Sequence, residues 1–175
     1  MNTFVQLAQI FAGIAATIAL IYTSLQFKKN SRIAKGQFLL DLREKFSEDR
    51  RYEIHLALRN NQPITDWHAL EDYLGLFEIC EIMIRNNTIE LDDFSSLYRY
   101  RLQNILIAKS VVLMKFVRGC RSYKNFYSLI RRCFPNKRNE ILALQNFSLE
   151  ATDVNQIDIQ NEQFTELWTN LIRNI

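Results

Sequence analysis

The chain has 175 residues, a formal net charge of +3, 48% hydrophobic and 23% charged residues, and only 4 Gly and 2 Pro. That length fits one domain, and the composition excludes disorder, collagen-like repeats and a loop-rich disulfide scaffold. A sandwich or barrel needs many tight turns, so the scarcity of Gly and Pro predicts an all-α chain of long helices.

Residues 1–27 contain no Asp, Glu, Lys or Arg. From Val5 to Phe27 the sequence is VQLAQIFAGIAATIALIYTSLQF. As a helix this run spans roughly 34 Å, enough for a bilayer core of about 30 Å. A secretory signal peptide would want a cationic start, a shorter apolar run and a small-x-small cleavage site. Here the cations follow the run, which predicts an uncleaved transmembrane helix over 1–27 and a cytosolic helical domain over 28–175. Lys28, Lys29, Arg32 and Lys35 lie just past the span, so the positive-inside rule puts the N-terminus outside and the rest in the cytosol, at a bacterial inner membrane. Cys80, Cys120 and Cys133 then lie in a reducing compartment. They have no C-x-x-C or His spacing, so they read as buried free thiols.

Gln6, Gln9, Gly13, Thr17, Leu20 and Ser24 fall on one side of this helix, and the stripe is polar or small. It reads as glue between packed helices or as the lining of a pore, and both need several copies of the span. Two glutamines facing lipid alone would be costly, so the chain is expected to be a homo-oligomer.

Beyond the span, Ile33, Phe38, Leu39, Leu42 and Phe46 continue the first helix. Asn60-Asn61-Gln62-Pro63 breaks the pattern, and Thr65 or Asp66 caps a helix to about Arg85. Asn86-Asn87 ends that helix. Asp92 or Asp93 caps a helix to about Arg118, Gly119 breaks it, and Ser122 starts another that Pro135 stops. Further helices are predicted around Glu140–Phe147 and over 161–174, with a polar irregular stretch at 148–160 between them.

Charge is segregated along the chain. Residues 28–55 hold 8 basic and 5 acidic groups, residues 56–98 hold 2 and 8, residues 99–138 hold 11 and none, and residues 139–175 hold 1 and 6. The acid-free block contains Arg99, Arg101, Lys109, Lys115, Arg118, Arg121, Lys124, Arg131, Arg132, Lys137 and Arg138, interleaved with aromatics that include Tyr98, Tyr100, Tyr123 and Tyr127. Cations neutralise phosphates and aromatics stack on bases, as a single-strand site requires. These cations, with Tyr123 and Tyr127, are the candidate ligand residues. Lys124, Ser128, Arg131 and Arg132 share the outward face of their predicted helix, and the helix start after Gly119 offers backbone N–H groups to a phosphate. Competing readings stand beside this one. The aromatics lie on apolar helical faces, and the cations can pair with the acidic flanks or rest on anionic membrane lipid.

Lys109 falls in the apolar arc of its helix and needs a partner if buried; Glu81 is the expected one, with Glu78 next. His55 and His68 form no metal spacing with Cys or carboxylates. Tyr52-Glu53-x-His55 reads as solvated helix surface, and Asp92-Asp93 as a capping pair. No hydrolase, Walker, zinc-protease or nucleotidyltransferase motif occurs, so neither an enzyme nor a cofactor is expected.

Two stretches, AQIFAGIAATIALIYTSLQFKKNSRIAK and LEDYLGLFEICEIMIRNNTIELDDFSSLYRYRLQNIL, resemble a bacterial family of small single-pass membrane proteins. In plan the chain is similar to the membrane effectors of antiphage defence, and among them to the HalA channel effectors of the Hailong system. That resemblance implies a homotetrameric ion channel held shut by a single-stranded DNA oligomer. A nucleotidyltransferase partner makes the oligomer, and its loss opens the channel. The rival expectations are a non-conducting membrane scaffold, whose basic block binds anionic lipid or a protein, and a channel gated by a small or cyclic nucleotide.

Overall fold

A computed structural model of the protein describes residues 2–151, 153–173 and 175; the side chains of residues 2–18 and of residue 155 fall outside that description. Every regular element among the described residues is helical. The chain forms two compact units, one ending at Glu44 and the other running Lys45–Ile175.

Helix α1 runs from Asn2 to Ser47 without a break. Gly36, the weak point in its sequence, has nothing within 4 Å of where a Cβ would sit. Among the described residues no helix is long and apolar enough to cross a membrane. Most of the predicted span lies outside the described side chains, including Gln6, Gln9, Gly13 and Thr17 of the predicted stripe. Leu20 and Ser24, the remaining two, are exposed, and so are Ile21, Tyr22, Leu25 and Phe27.

The second unit contains helices α2 (Asp49–Arg59), α3 (Trp67–Arg85), α4 (Leu91–Ile107), the short α5 (Lys109–Val111), α6 (Lys124–Cys133), α7 (Arg138–Glu150) and α8 (Glu162–Ile172). A π-helical turn, Val112–Val117, follows α5 directly, and two 3₁₀ turns lie at Pro135–Lys137 and Val154–Gln156. The breaks have local causes. Asn61 and Asn87 take positive φ, at 51° and 56°, a conformation Asn tolerates better than most residues, and so stop α2 and α3. The Asp66 carboxylate accepts from the Ala69 amide at 2.9 Å and caps α3. Asn161 does the same for Phe164 at 2.9 Å and starts α8.

Three boundaries depart from the sequence expectation. Glu90 is the N-cap of α4 and makes no side-chain cap bond; Asp92 and Asp93 lie in its first turn, where a carboxylate favours the positive helix end. The helix expected to reach Arg118 ends at Ile107, because Ala108 turns extended with ψ at 90°. The helix expected to start at Ser122 has Tyr123 as its N-cap.

The core is an aromatic column. Phe46 sits 4.8 Å from Phe77, 5.0 Å from Tyr98 and 5.5 Å from Tyr73, centroid to centroid. Phe77 meets Phe126 edge-on at 6.1 Å, and Phe126 stacks on Phe116 at 4.4 Å. These rings join the end of α1 to α3, α4, α6 and the π turn. The 3–4 spacing of Leu70, Tyr73, Leu74, Phe77, Cys80 and Ile84 buries one face of α3, which packs most extensively on α6. Each fully buried Phe contributes about 1.5–3 kcal/mol of transfer free energy.

Candidate functional site

The basic block runs through α4, α5, the π turn, α6 and the start of α7, and its cations take three kinds of surroundings. Three meet carboxylates. Lys115 pairs with Glu71 and lies over the Trp67 ring, and the ammonium holds the Glu71 carboxyl below its usual range. Arg132 approaches Glu81 at 3.4 Å, and Lys137 approaches Glu140 at 3.9 Å while donating to the Asn170 carbonyl at 2.9 Å.

Others are held by neutral groups. Arg101 is buried; its Nε donates to the Tyr100 hydroxyl at 3.0 Å, and its guanidinium lies 5.1 Å from the Phe46 centroid. Arg118 grips the Ile157 carbonyl with two donors, at 2.6 and 3.2 Å. Arg131 donates to Gln145 at 2.9 Å, and Arg99 lies 4.8 Å from the Phe134 centroid. Lys109 donates to Thr165 Oγ1 at 2.8 Å and sits 5.6 Å from the rings of both Phe164 and Trp168 on α8.

Arg121, Lys124 and Arg138 form the third group. All three are exposed, and their side chains make no hydrogen bond or ion pair among the described residues.

Lys109 does need a partner, as the apolar arc implied, but α8 supplies it instead of α3. Glu81, 2% exposed, takes a hydrogen bond from Ser128 Oγ at 2.6 Å beside the Arg132 contact, and its Oε2 finds no partner among the described residues. The acid faces α6 across the α3–α6 contact, so it never meets the element that carries Lys109. Ser128 therefore turns inward, and of the four residues expected on the outward face of α6 only Lys124 and Arg132 are exposed.

The start of α6 is also occupied. The backbone amides of Asn125 and Phe126 favour the charged form of the Glu78 carboxyl, while burial outweighs them and pushes that carboxyl above its usual range. The amides expected to meet a phosphate thus face an acid from α3. Tyr127 is fully buried and donates its hydroxyl to the Phe116 carbonyl at 2.9 Å. Tyr123 is half-buried, and burial pushes its hydroxyl up to about 12.

A hollow of about 380 Å³ opens beside the turn that follows the π helix. Arg118, Gly119, Cys120, Arg121 and Ser122 form one wall, and Ser148, Leu149, Ala151, Asp153 and Val154 the other. Gly119 is required there, because a Cβ would lie 2.6 Å from the Lys115 carbonyl oxygen. The hollow brings Arg118 and Arg121 together with two serines, and Asp153 tempers their charge. Arg99, Arg101, Lys109 and Lys137 lie outside its lining.

No protein family, curated protein or solved structure matches the chain. Function therefore rests on geometry and sequence. Among the described residues no cluster of His, Cys, Asp and Glu can hold a metal ion. The exposed aromatics of the Lys45–Ile175 unit, among the described residues, are Tyr52 and Tyr100. Neither belongs to the ligand set the sequence suggested. Both flank His55, which is buried instead of solvated. The Tyr52–His55 spacing of three on α2 was the available signal.

Proposed function

We propose that the chain is a membrane effector whose helical unit binds a single-stranded DNA oligomer and whose first helix assembles, in several copies, into an ion-conducting bundle that the bound ligand holds closed. The observation that carries the reading is the state of the basic block: only three of its eleven cations meet carboxylates, and Arg121, Lys124 and Arg138 project free of partners among the described residues. Forty residues without an acid leave a surplus of positive charge that packing does not consume, and a phosphate chain neutralises it. The Arg118–Arg121 hollow is where that surplus takes a concave form.

The membrane half of the reading rests on the charge-free run of residues 1–27 and on the apolar surface of Leu20, Ile21, Leu25 and Phe27 in α1. Ligand control of the bundle requires only that the oligomer bind the closed state more tightly than the open one. The antiphage setting, the tetramer and the nucleotidyltransferase that supplies the ligand belong to the resemblance.

The test uses the full chain in detergent and in liposomes. Labelled single-stranded DNA binds at low salt, and affinity falls steeply as salt rises. Arg121→Glu with Lys124→Glu weakens binding and flattens that salt dependence. Exonuclease digestion of the bound oligomer starts ion flux. Absence of binding at low salt sinks the ligand role. Binding to anionic vesicles without DNA affinity or flux gives the non-conducting scaffold instead.

A further inference from the structure

Tyr52 on α2 and Tyr100 on α4 are each 46% exposed, in a unit whose other large aromatics are mostly buried. Between them lies His55, 4% exposed, with ring centroids 6.3 Å from Tyr52 and 5.7 Å from Tyr100, the latter edge-on at 77°. Both exposed tyrosines thus contact the same buried imidazole. Tyr100 is braced: its hydroxyl accepts from Arg101 Nε at 3.0 Å, and the Arg101 guanidinium lies 5.6 Å from its ring. Arg101 is itself fixed against Phe46 and within 3.5 Å of the Tyr73 hydroxyl. A ring held this firmly loses little freedom when a flat partner settles on it.

His55 is an odd choice for a buried position. Its Nδ1 has no hydrogen-bond partner among the described residues, and burial, followed by the nearby Arg101 and Arg59 charges, opposes its protonation. A leucine would fill such a site without an unmet hydrogen bond. A residue that works against local stability marks a place where the chain serves something else. The surroundings are cationic: Arg59 is exposed at the end of α2 and Arg101 lies under Tyr100.

We propose that Tyr52 and Tyr100, set apart by the buried His55 ring, form a stacking platform for the bases of a single-stranded nucleic acid, with Arg59 beside it to meet the backbone. The proposal rests on the oligonucleotide-binding reading and adds the surface on which the bases lie. Every base has a flat face, so such a platform grips single strands with little regard to sequence. The platform is separate in sequence from the Arg118–Arg121 wall.

The experiment compares two probes on the full chain in detergent: labelled oligo(dT), and an abasic deoxyribose-phosphate oligomer of equal length. Wild type binds oligo(dT) at least about 5-fold more tightly, the lower end of what one stacked base contributes. Tyr52→Leu with Tyr100→Leu abolishes that preference and leaves affinity for the abasic probe unchanged, which also reports an intact fold. Tyr52→Phe with Tyr100→Phe keeps it. Where the double leucine variant does not fold, Tyr52→Leu alone, whose ring contact is with His55, halves the preference or more. Equal binding of both probes by wild type, or a preference that survives the leucine variants, overturns the platform and leaves polyanion binding standing. Failure of wild type to bind either probe at low salt overturns both.

Discussion

Lowering the pH from 7 to 5 should weaken the helical unit through His55, while Glu78, whose carboxyl burial raises, works the other way. Burial pushes this imidazole from 6.5 down to about 4, and the positive charges of Arg101 and Arg59 push the same way. In the fold the ring is neutral. In the unfolded chain it takes a proton below 6.5, so the unfolded state binds more protons between about pH 6.5 and 4, and stability falls as the pH falls through that window. The neutral ring's stabilising contribution is fully present above 6.5. Its limiting size is about 3 kcal/mol, and about 2 kcal/mol of it goes between pH 7 and 5. The carboxyls held low in the fold, Asp66 by the Ala69 amide and then Arg50, Glu71 by Lys115, and Glu48 by Lys45, lose their contribution as the pH falls past the ordinary carboxylate range, at the acid end of this window and below it. Urea unfolding of the full chain in detergent, followed by the fluorescence of Trp67 and Trp168 at steps of pH, measures the loss. His55→Gln should flatten the curve between pH 7 and 5. Parallel curves for wild type and His55→Gln across that range would refute the argument, because no buried neutral imidazole would then be resisting a proton.

Three further outcomes follow from the packing. Lys109→Met keeps the contact with Phe164 and Trp168 but loses the bond to Thr165, so α8 should dock less firmly by roughly 1–3 kcal/mol; amide exchange over Glu162–Ile172 should rise, and unchanged protection refutes the clasp. Gly119→Ala drives a methyl against the Lys115 carbonyl and should cost roughly 1–3 kcal/mol, read as a lower urea midpoint. Burial pushes the Cys80 and Cys133 thiols up to about 12, so iodoacetamide at neutral pH should label them only as the protein unfolds; fast labelling of the native chain contradicts their burial.

The helices were legible because their signals are local. Asp66, Asn61, Asn87 and Gly119 act within a few residues of themselves, and the 3–4 spacing in α3 marks the face it buries. The break at Ala108 was not. Leu102, Ile105, Val112 and Leu113 keep helical spacing across it, and Ala is the best helix former, so nothing local announces the turn. Partner choice was hidden for a related reason. Sequence showed that Lys109 lies among apolar neighbours, but Thr165 is 56 residues away, and only the docking of α8 brings it near. Charge segregation was visible as a surplus, whereas its division into consumed and free cations depends on contacts such as Glu71 reaching Lys115, 44 residues away. Proximity to cations along the chain points to Tyr123 and Tyr127. The fold instead buries Tyr127 and leaves Tyr52 and Tyr100 exposed, the second of them inside the basic block.

The wider coil from Val112 to Val117 has one more consequence. A π turn takes up an additional residue per revolution, so side chains along it advance by a smaller angle than in an ordinary helix. Lys115 reaches Glu71 on one flank while Arg118, three positions on, reaches Ile157 on another. The spare residue acts as a phase adjuster between two neighbours that a regular screw would not serve together. Deleting a single amino acid there should tighten the coil and throw everything beyond it out of phase, a larger injury than most point changes in the same stretch.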